Sequence, residues 1–576
     1  MSVVADTVPN LRPVRPPGPA RRKLTRFERR ASAGLLIGTA ALYLWDLGSV
    51  GWGNIYYAGA VHGMAQDWTA FLFGSTDAGS VVTVDMPPGS LWAMALSARM
   101  FGLSSWSLLV PQALMGVGAV ALLCAAVRRV TTSGAGLLAG AALALTPAAV
   151  ATFRYNDPDA LLVLLLVAAA YATVRAVEAA RPRWLLLAGV LVGLAFLTNP
   201  AQALVPLPAL ALAYLVAAPT GFWRRVLHLL AAGVAVVVAG AWWYALVELR
   251  PSTTRPYIGG SRTDSALELA MGEGGLGRFL GSAPELERMT DARSAVLVGW
   301  LLPAALALLL VGLLLRSRAP RTDAARASLL LWGGWTATAA LALAVSSYNS
   351  YDTVALAPGV AALVGIGSAV LWERRRRWAG RGTLALLVAG TVAWAWLLLD
   401  RTPEFVPRWV VVAAAAVVIG VVLVGAAVRR RGAAAVGTTM ALMALAGPAA
   451  YAAHITATEG QDAGAHGPAA PGPELRELLR STGRQWSAAT VGTQNSATLA
   501  LASDTTVMGI GGLSGNDPAP TLEQFQAIVA AGEVRWFVDA GPARGRASAI
   551  STWVQQTFQS TTADDSTVYD FAKPRP

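Results

Sequence analysis

Acidic side chains lie at the ends of apolar runs in this sequence, and the runs themselves are nearly free of charge. Pumps and channels tend to keep ionisable residues inside their membrane spans. Carboxylates at span ends instead favour chemistry at the outer face of a membrane, where one of them can act as a general base. The carboxylates at span ends and in the outer loops are Asp46, Asp67, Asp77, Asp85, Asp157, Asp159, Asp264 and Asp352.

Asp85 is the first candidate, in the segment VTVDMPP. One interpretation is structural, because Asp commonly caps a helix and Pro is favoured in the first helical turn. The other is catalytic, with the Asp85 carboxylate serving a site beside the membrane. The spacing alone leaves both interpretations open.

Four polar residues in the segment FRYNDPDALL, namely Arg154, Asn156, Asp157 and Asp159, form the second candidate. Asp157, followed by Pro158 and an apolar run, predicts a helix N-cap. Asp159 then falls in the first turn, where a carboxylate favours the helix dipole. The cluster is more polar than capping requires, so a phosphate, sugar or metal site remains an equal alternative.

The segment RPYIGGSRTDSALELAMGEGGLGRFLG, residues 255–281, is the third candidate. It contains a GxGxxG spacing from Gly272, but a dinucleotide fingerprint needs a preceding strand in a βαβ unit. We therefore expect a flexible loop near a substrate. Arg255 and Arg278 could pair with a phosphate, or they could anchor to lipid headgroups.

The composition defines the elements that must position these residues. The chain has 576 residues, 55% hydrophobic and 14% charged, with a mean hydropathy of +0.51. Soluble proteins carry about 25% charged residues, so a soluble multidomain enzyme is excluded. The single cysteine, Cys124, excludes an intramolecular disulfide, and the four histidines form no metal-binding motif. We predict thirteen spans, at 31–47, 108–127, 134–153, 159–177, 184–198, 201–218, 227–249, 295–315, 327–346, 354–372, 383–399, 408–428 and 434–453.

The net charge of +12 comes from arginine clusters that fall at every second gap between the apolar runs. Basic loops mark the cytoplasmic side. We therefore predict a cytoplasmic basic tail over 1–30, a transmembrane domain over 31–453 and an extracytoplasmic domain over 454–576. The two long outer loops are 48–107 and 250–294. The first is rich in aromatic residues, which predicts one or two interfacial helices joined by an extended segment at 81–88.

The tail after residue 453 changes character. It opens with a linker rich in Gly and Pro and carries more acidic than basic residues. Strand-like runs at 488–491, 505–510, 534–540 and 567–571 alternate with helical patterns at 521–531 and 548–558. This order predicts a small α/β domain.

Several segments together resemble bacterial glycosyltransferase family 39, the relatives of protein O-mannosyltransferases and of the lipid A aminoarabinose transferase. They are GWGNIYYAGAV, FLFGSTD, VTVDMPP, SLWAMALSARMFG, LTPAAVATFRYNDPDALL, RPYIGGS, GEGGLGR, TVALAPGVAALVGIG and GGLSGNDPAPTLEQFQ. The resemblance covers nearly the whole chain. It implies a GT-C fold, a large first outer loop and a polyprenyl-phosphate sugar donor.

The sequence departs from that family's pattern at positions that matter. An Asp-Glu pair of the first loop corresponds to Gly53 and Asn54, and a lysine of a DKPP segment corresponds to Met86. A second lysine corresponds to Asn199. A GYNG stretch is replaced at 273–274, and a histidine is replaced by Asn349, followed by Asp352. Loss of two cations is not conservative, and it suggests either a changed donor or lost activity.

From the residues and the resemblance we predict an inverting glycosyltransferase in a bacterial plasma membrane. It would move a mannose- or pentose-like sugar from a polyprenyl-phosphate donor to an envelope glycan, lipid or protein acceptor, without binding nucleic acid. Asp85 and Asp159 are the predicted catalytic carboxylates. No cofactor is certain, and a divalent metal ion remains open. The alternatives are a flippase of lipid-linked sugars and a degenerate relative that acts as a binding partner. The predicted substrate-binding residues are Tyr57, Arg154, Asn156, Asp157, Arg255, Tyr257 and Arg278.

Overall fold

The structure of the chain is a computed structural model. It describes residues 24–272, 275–279, 292–345, 350–400, 430–462, 470–513, 515–539 and 547–576. Within these residues the molecule is mostly helical, with a small sheet near the C-terminus.

Long apolar helices dominate the region before residue 462. Ten segments are long and apolar enough to cross a membrane: Arg26–Val50, Ser105–Val130, Asp159–Ala179, Pro200–Ala217, Phe222–Leu249, Ala295–Leu315, Ala324–Val345, Asp352–Trp372, Trp378–Leu398 and Gly437–Thr458. An eleventh is the bent pair Ser133–Ala144 and Pro147–Phe153, whose axes differ by 66°. Pro147 opens the second half of this pair, where its missing N–H interrupts the helical hydrogen bonds.

These elements follow the predicted order of spans. Ten predicted spans coincide with the ten long helices, and the predicted span at 134–153 is the bent pair. The predicted span at 184–198 is the shorter apolar helix Pro182–Phe196. The span predicted at 408–428 lies outside the described residues. The polytopic helical fold is therefore confirmed.

The helices are labelled in chain order. Up to residue 272 they are α1 (Arg26–Leu44), α2 (Ile55–Gln66), α3 (Trp68–Phe73), α4 (Gly89–Phe101), α5 (Ser105–Val130), α6 (Ser133–Ala144), α7 (Pro147–Phe153), α8 (Asp159–Ala179), α9 (Pro182–Phe196), α10 (Pro200–Ala203), α11 (Leu207–Ala217), α12 (Phe222–Leu249) and α13 (Ala266–Met271). From residue 292 they are α14 (Ala292–Val298), α15 (Leu302–Leu315), α16 (Ala324–Val345), α17 (Ala357–Trp372), α18 (Trp378–Asp400) and α19 (Arg430–Asp462). Short 3-10 turns lie at Leu47–Val50, Ser252–Thr254, Leu276–Phe279, Gly299–Leu301 and Ser350–Leu356.

The first long loop contains three helices, α2, α3 and α4, rather than the predicted one or two. The chain breaks after α2 because Asp67 caps α3, with its Oδ1 accepting the N–H of Ala70 at 2.8 Å. Of the segment predicted to be extended, 81–88, Val82 and Thr83 form β-bridges, whereas Asp85 and Met86 form a bend and Pro88 a turn before α4. The segment pairs with the second long loop, since the Thr83 N–H donates to the carbonyl of Tyr257 at 2.8 Å.

The C-terminal unit is a five-stranded sheet with helices. Its strands are β1 (Trp486–Val491), β2 (Val507–Ile510), β3 (Val534–Val538), β4 (Phe558–Ala563) and β5 (Ser566–Pro574), in the order β2-β1-β3-β5-β4. The pairs β1–β2 and β1–β3 are parallel, whereas β3–β5 and β4–β5 are antiparallel. Its helices are α20 (Pro473–Arg480), α21 (Thr493–Ser503), α22 (Leu522–Ala530) and α23 (Ala547–Thr557).

The C-terminal unit packs on the first long loop. A Cβ added to Gly59 of α2 would overlap Ala497 of α21, so the two helices meet at a residue without a side chain. The indole of Trp486 donates to Asp77 Oδ1 at 2.9 Å, in a buried contact. Burial, the larger effect, raises the pKa of Asp77 to about 6 against the hydrogen bonds that lower it. The sheet unit is thus joined to the loop that carries Asp85.

Candidate active site

An amide side chain joins two of the span-end carboxylates. Gln202, in the short helix α10, donates from one Nε2 to Asp159 Oδ2 at 3.0 Å and to Asp352 Oδ1 at 2.8 Å. Asn199 donates to the other oxygen of Asp159 at 3.1 Å. Arg278 Nη2 lies 3.2 Å from Asp352 Oδ2. The four elements that meet here are separated by up to 193 positions in sequence, from 159 to 352.

We call Asp159 and Asp352, with their partners Asn199, Gln202 and Arg278, the acidic cluster. Its geometry does not test catalysis or binding, but it brings predicted residues together. Asp159 and Arg278 were candidates, and Asp352 was one of the span-end carboxylates. Asn199 was identified from the sequence only as the replacement of a lysine, and Gln202 was not predicted. Asn199 holds Asp159 with a neutral donor at the position where the resemblance implies a cation.

Asp157 has the capping role that its spacing predicts. Its Oδ1 accepts the backbone N–H of Asp159 at 2.8 Å, at the start of α8. Burial raises the pKa of Asp157, and the negative charge of Asp352 raises it further. The cap therefore lies within electrostatic reach of the acidic cluster.

Asp85 does not cap a helix. Helix α4 begins at Gly89 without a side-chain cap, so the helix-start interpretation is wrong. Instead, the hydroxyl of Tyr56 donates to Asp85 Oδ1 at 3.3 Å and accepts the Asp85 N–H at 3.1 Å. Burial is the main cause of a raised pKa at Asp85, and a raised pKa brings a carboxylate closer to the range in which a general base works at neutral pH.

Tyr57 is within electrostatic reach of Asp85 and of the carboxylates near the acidic cluster. Its pKa is raised first by burial and then by the charges of Asp85, Asp157, Asp159 and Asp352, in that order. The Asn54 side chain fixes the start of α2 by accepting the N–H groups of Tyr56 and Tyr57 at 3.0 and 3.4 Å. One helix start therefore presents adjacent tyrosines, of which Tyr56 binds Asp85 and Tyr57 is within electrostatic reach of all four carboxylates.

Arg154 and Asn156 are used in packing. Arg154 is fully buried and donates from Nη1 to the carbonyls of Leu42 and Trp45 at 3.1 and 2.6 Å, near the end of α1. Asn156 accepts the Asn54 N–H at 2.6 Å and donates to the Asn54 carbonyl at 2.9 Å. The Asn156 contacts position the start of α2, and through it Tyr56 and Tyr57. Direct substrate contact by Arg154 and Asn156 stays a prediction.

Arg255 and Tyr257 shape the second long loop. Arg255 pairs with Asp264 at 2.7 Å, and the Tyr257 hydroxyl donates to the carbonyl of Ser261 at 2.6 Å. Asp264 Oδ1 also accepts the Ile258 N–H at 2.8 Å. A phosphate would have to compete with Asp264 for Arg255, so the described geometry favours Arg278 as the cation nearest the acidic cluster.

In the described part of the chain, no group of three or more His, Cys, Asp or Glu side chains is arranged to hold a metal ion. We assign no residue to a metal.

Comparison with known proteins gives matches across the chain. A family model described as dolichyl-phosphate-mannose-protein mannosyltransferase matches residues 85–244. Another, described as "Putative mannosyltransferase YkcB-like, C-terminal", matches residues 475–557. The protein named "Putative mannosyltransferase YycA" from Bacillus subtilis (strain 168) is 25% identical over 92% of this chain and 94% of its own length. "Putative mannosyltransferase YkcB" from the same strain is 37% identical over 43% of this chain and 34% of its own length.

Among solved structures, ArnT from Cupriavidus metallidurans bound to undecaprenyl phosphate has a TM-score of 0.57 and 17% identity. The match covers 94% of this chain and 98% of that one. Its apo form has a TM-score of 0.56. At this identity the likeness concerns the fold. The family-model match over 85–244 begins at Asp85, within the first long loop, and includes the whole of α8.

Proposed function

We propose that this membrane protein, a glycosyltransferase of the GT-C type, transfers a mannose- or pentose-like sugar from a polyprenyl phosphate to an acceptor hydroxyl. One observation carries the proposal: Gln202 joins the carboxylates of Asp159 and Asp352 at the ends of spans, and the start of α2 holds Asp85 through Tyr56. The relatives named as mannosyltransferases support the sugar class. The solved ArnT structure contains undecaprenyl phosphate, which supports a lipid-linked donor.

In this mechanism Asp85 is the general base. It accepts the proton of the acceptor hydroxyl as that oxygen bonds to the anomeric carbon. The bond from the anomeric carbon to the phosphate oxygen breaks, and its electron pair leaves with the polyprenyl phosphate. A single displacement inverts the anomeric carbon. Polyprenyl phosphate leaves readily as an anion, so the step requires a base more than an acid.

The acidic cluster has a different role. Asp159 and Asp352 would accept hydrogen bonds from sugar hydroxyls and stabilise the positive charge that develops at the anomeric carbon. Arg278 would move from Asp352 toward the departing phosphate, because a guanidinium pairs well with phosphate oxygens. Gln202 would keep the two carboxylates apart while the sugar is bound.

The arginine clusters support an orientation with a cytoplasmic N-terminus and the sheet unit outside. In that orientation both long loops and the candidate site face away from the cytoplasm. Nucleotide sugars are scarce there, so a donor carried by a membrane lipid fits this side. The domain limits that we propose remain 1–30, 31–453 and 454–576.

The test is a transfer assay with the purified full-length protein. Undecaprenyl phosphate bearing radiolabelled mannose would be incubated with an envelope extract as the acceptor source. We expect release of undecaprenyl phosphate and label in an acceptor fraction, both lost in the Asp159→Asn variant. A flippase would instead move the intact lipid across a vesicle bilayer without release. A protein that binds the donor but neither releases nor moves it would fit the degenerate relative.

A further inference from the structure

The C-terminal sheet unit reaches the candidate site through the carboxylate of Asp517, which was not among the predicted site residues. Asp517 Oδ2 accepts the backbone N–H of Gly260 at 3.0 Å, across 257 positions of sequence. Gly260 in turn lies against Asp85, since a Cβ added to it would be 3.1 Å from the Asp85 Cβ. One glycine of the second long loop therefore binds the Asp517 carboxylate and lies against the Cβ of Asp85.

Backbone contacts hold Asp517 in place. The Asp517 N–H donates to the carbonyl of Gly511 at 3.0 Å, and the Gly511 N–H donates to the carbonyl of Ala519 at 2.9 Å. Gly511 and Gly512 have φ of +80° and +65°, a conformation that residues with a Cβ rarely adopt. A Cβ on Gly512 would also overlap the Asp517 carboxylate. The conformations of Gly511 and Gly512 and the backbone contacts of Asp517 therefore hold this side chain in place.

Gly260 is equally constrained. Its φ is +76°, and the neighbouring Gly259 donates its N–H to Thr83 Oγ1 at 3.0 Å. The two loops and the sheet unit thus converge within a few residues of Asp85.

We propose that Asp517 is a positioning residue of the glycosyltransferase site, which holds Gly260 beside Asp85 and strengthens Asp85 as a base through its negative charge. The proposal rests on the proposed function for its catalytic meaning, but the placement and the charge effect can be tested without transfer activity. The titratable groups set against Asp85 in the described structure are Tyr56 and Tyr57 from α2 and Asp517 from the sheet unit. Both tyrosines are neutral at physiological pH, so Asp517 supplies the neighbouring charge.

The direction of the effect follows from like charges. A negative Asp517 disfavours the ionised form of Asp85 and raises the pKa of Asp85, in addition to the larger effect of burial. The Asp517→Asn variant removes this charge but keeps an oxygen that can accept the Gly260 N–H. The Asp517→Glu variant keeps the charge. Asp565 is exposed in the turn between β4 and β5, at the opposite end of the sheet from β2, which precedes Asp517. Asp565→Asn is therefore a control that makes the same charge change elsewhere in the sheet unit.

The experiment measures the protonation of Asp85 directly in the full-length protein. A water-soluble carbodiimide reacts with protonated carboxyl groups, and peptide mass spectrometry quantifies labelling of Asp85 against pH. We expect the labelling midpoint to fall by about half a pH unit or more in Asp517→Asn. It should stay unchanged in Asp517→Glu and Asp565→Asn.

The same variants are then compared in the transfer assay, where the acid limb of the rate profile should move with the labelling midpoint. Superimposable labelling curves for the wild type and Asp517→Asn would overturn the inference. If Asp517→Asn does not fold, Asp517→Glu and Asp517→Ala are compared instead. An equal displacement of the Asp85 labelling midpoint in both variants would overturn the inference. A shifted midpoint in a protein that transfers no sugar would keep the inference on placement and charge, and would refute the proposed function.

Discussion

The replacement of Asp85 by Asn separates a catalytic carboxylate from a structural one. Asn has nearly the shape of Asp and keeps an oxygen that can accept the Tyr56 hydroxyl, now 3.3 Å from Asp85 Oδ1. The second contact, from the Asp85 backbone N–H to the same hydroxyl, does not involve the side chain. The substitution therefore removes the charge and the basicity while leaving the local hydrogen bonds in place.

These contacts set the expected magnitudes. Loss of a general base reduces a rate by about 10²–10⁴-fold, which corresponds to about 3–5 kcal/mol of transition-state stabilisation. A preserved hydrogen bond to a neutral partner should change the free energy of unfolding by less than about 1 kcal/mol. The kinetic effect should therefore far exceed the effect on stability. If Asp85 were only structural, Asp85→Asn would affect the stability more than the rate.

The assay is release of undecaprenyl phosphate under saturating donor, with thermal unfolding of each variant in the same detergent. Asp157→Asn is the matched control, because Asn accepts the Asp159 N–H as a cap about as well as Asp does. It removes one negative charge from the same region, and we expect it to lose less than about tenfold in rate. Equal losses for the two variants, or a near wild-type rate for Asp85→Asn, would refute the assignment of Asp85 as the base.

Three further predictions follow from the arrangement of the chain. In a background without Cys124, single cysteines at Arg262 and Glu523 should react with an impermeant thiol reagent in intact cells. A cysteine at Arg376 should react only after lysis, and labelling there without lysis would contradict the orientation. Residues 470–576 expressed alone should unfold in one cooperative thermal transition, whereas an insoluble product would mean that the unit depends on its contact with the first long loop. The folded pKa of Asp77 is raised to about 6. The protonated side chain therefore contributes its full stabilisation below the unfolded pKa of about 4, and this contribution is lost as pH rises through 6. Asp77→Asn should therefore raise the melting temperature at pH 7.5, by an amount equivalent to at most about 3 kcal/mol, with little effect at pH 4.5; the same change at both pH values would contradict this account.

Local patterns in the sequence predict the helical part of the fold well. A run such as Phe222–Leu249 is apolar along its whole length, so hydropathy alone locates it. The break inside the predicted span 134–153 follows from Pro147, which a window average does not detect. The sheet unit was predicted less completely: strand β4 and the helices Pro473–Arg480 and Thr493–Ser503 were missed. Thr493–Ser503 has almost no amphipathic pattern, because one of its faces packs on α2 while the other covers the sheet.

Roles of individual polar residues were predicted less well, because they depend on partners far along the chain. The polar residues Arg154, Asn156, Asp157 and Asp159 are neighbours in sequence, but their side chains make three different kinds of contact. Arg154 binds carbonyls 109 and 112 positions away, and Asn156 binds the backbone of Asn54, 102 positions away. Asp157 alone acts locally, and its cap was the feature that spacing predicted. No rule based on neighbouring residues separates an arginine that binds phosphate from one that binds the end of a distant helix.

One of the replaced cations, at Asn199, has a physical explanation in the acidic cluster. A lysine at position 199 would place a full positive charge beside Asp159, whereas Asn199 offers a neutral N–H at 3.1 Å. Gln202 adds a second neutral donor shared with Asp352. The cluster therefore keeps more negative charge than one with a lysine would, although Arg278 pairs with Asp352. A more negative cluster stabilises a positively charged anomeric carbon more strongly and a phosphate less strongly. By this reasoning the replacement at Asn199 favours a changed balance between sugar and phosphate recognition over a loss of activity.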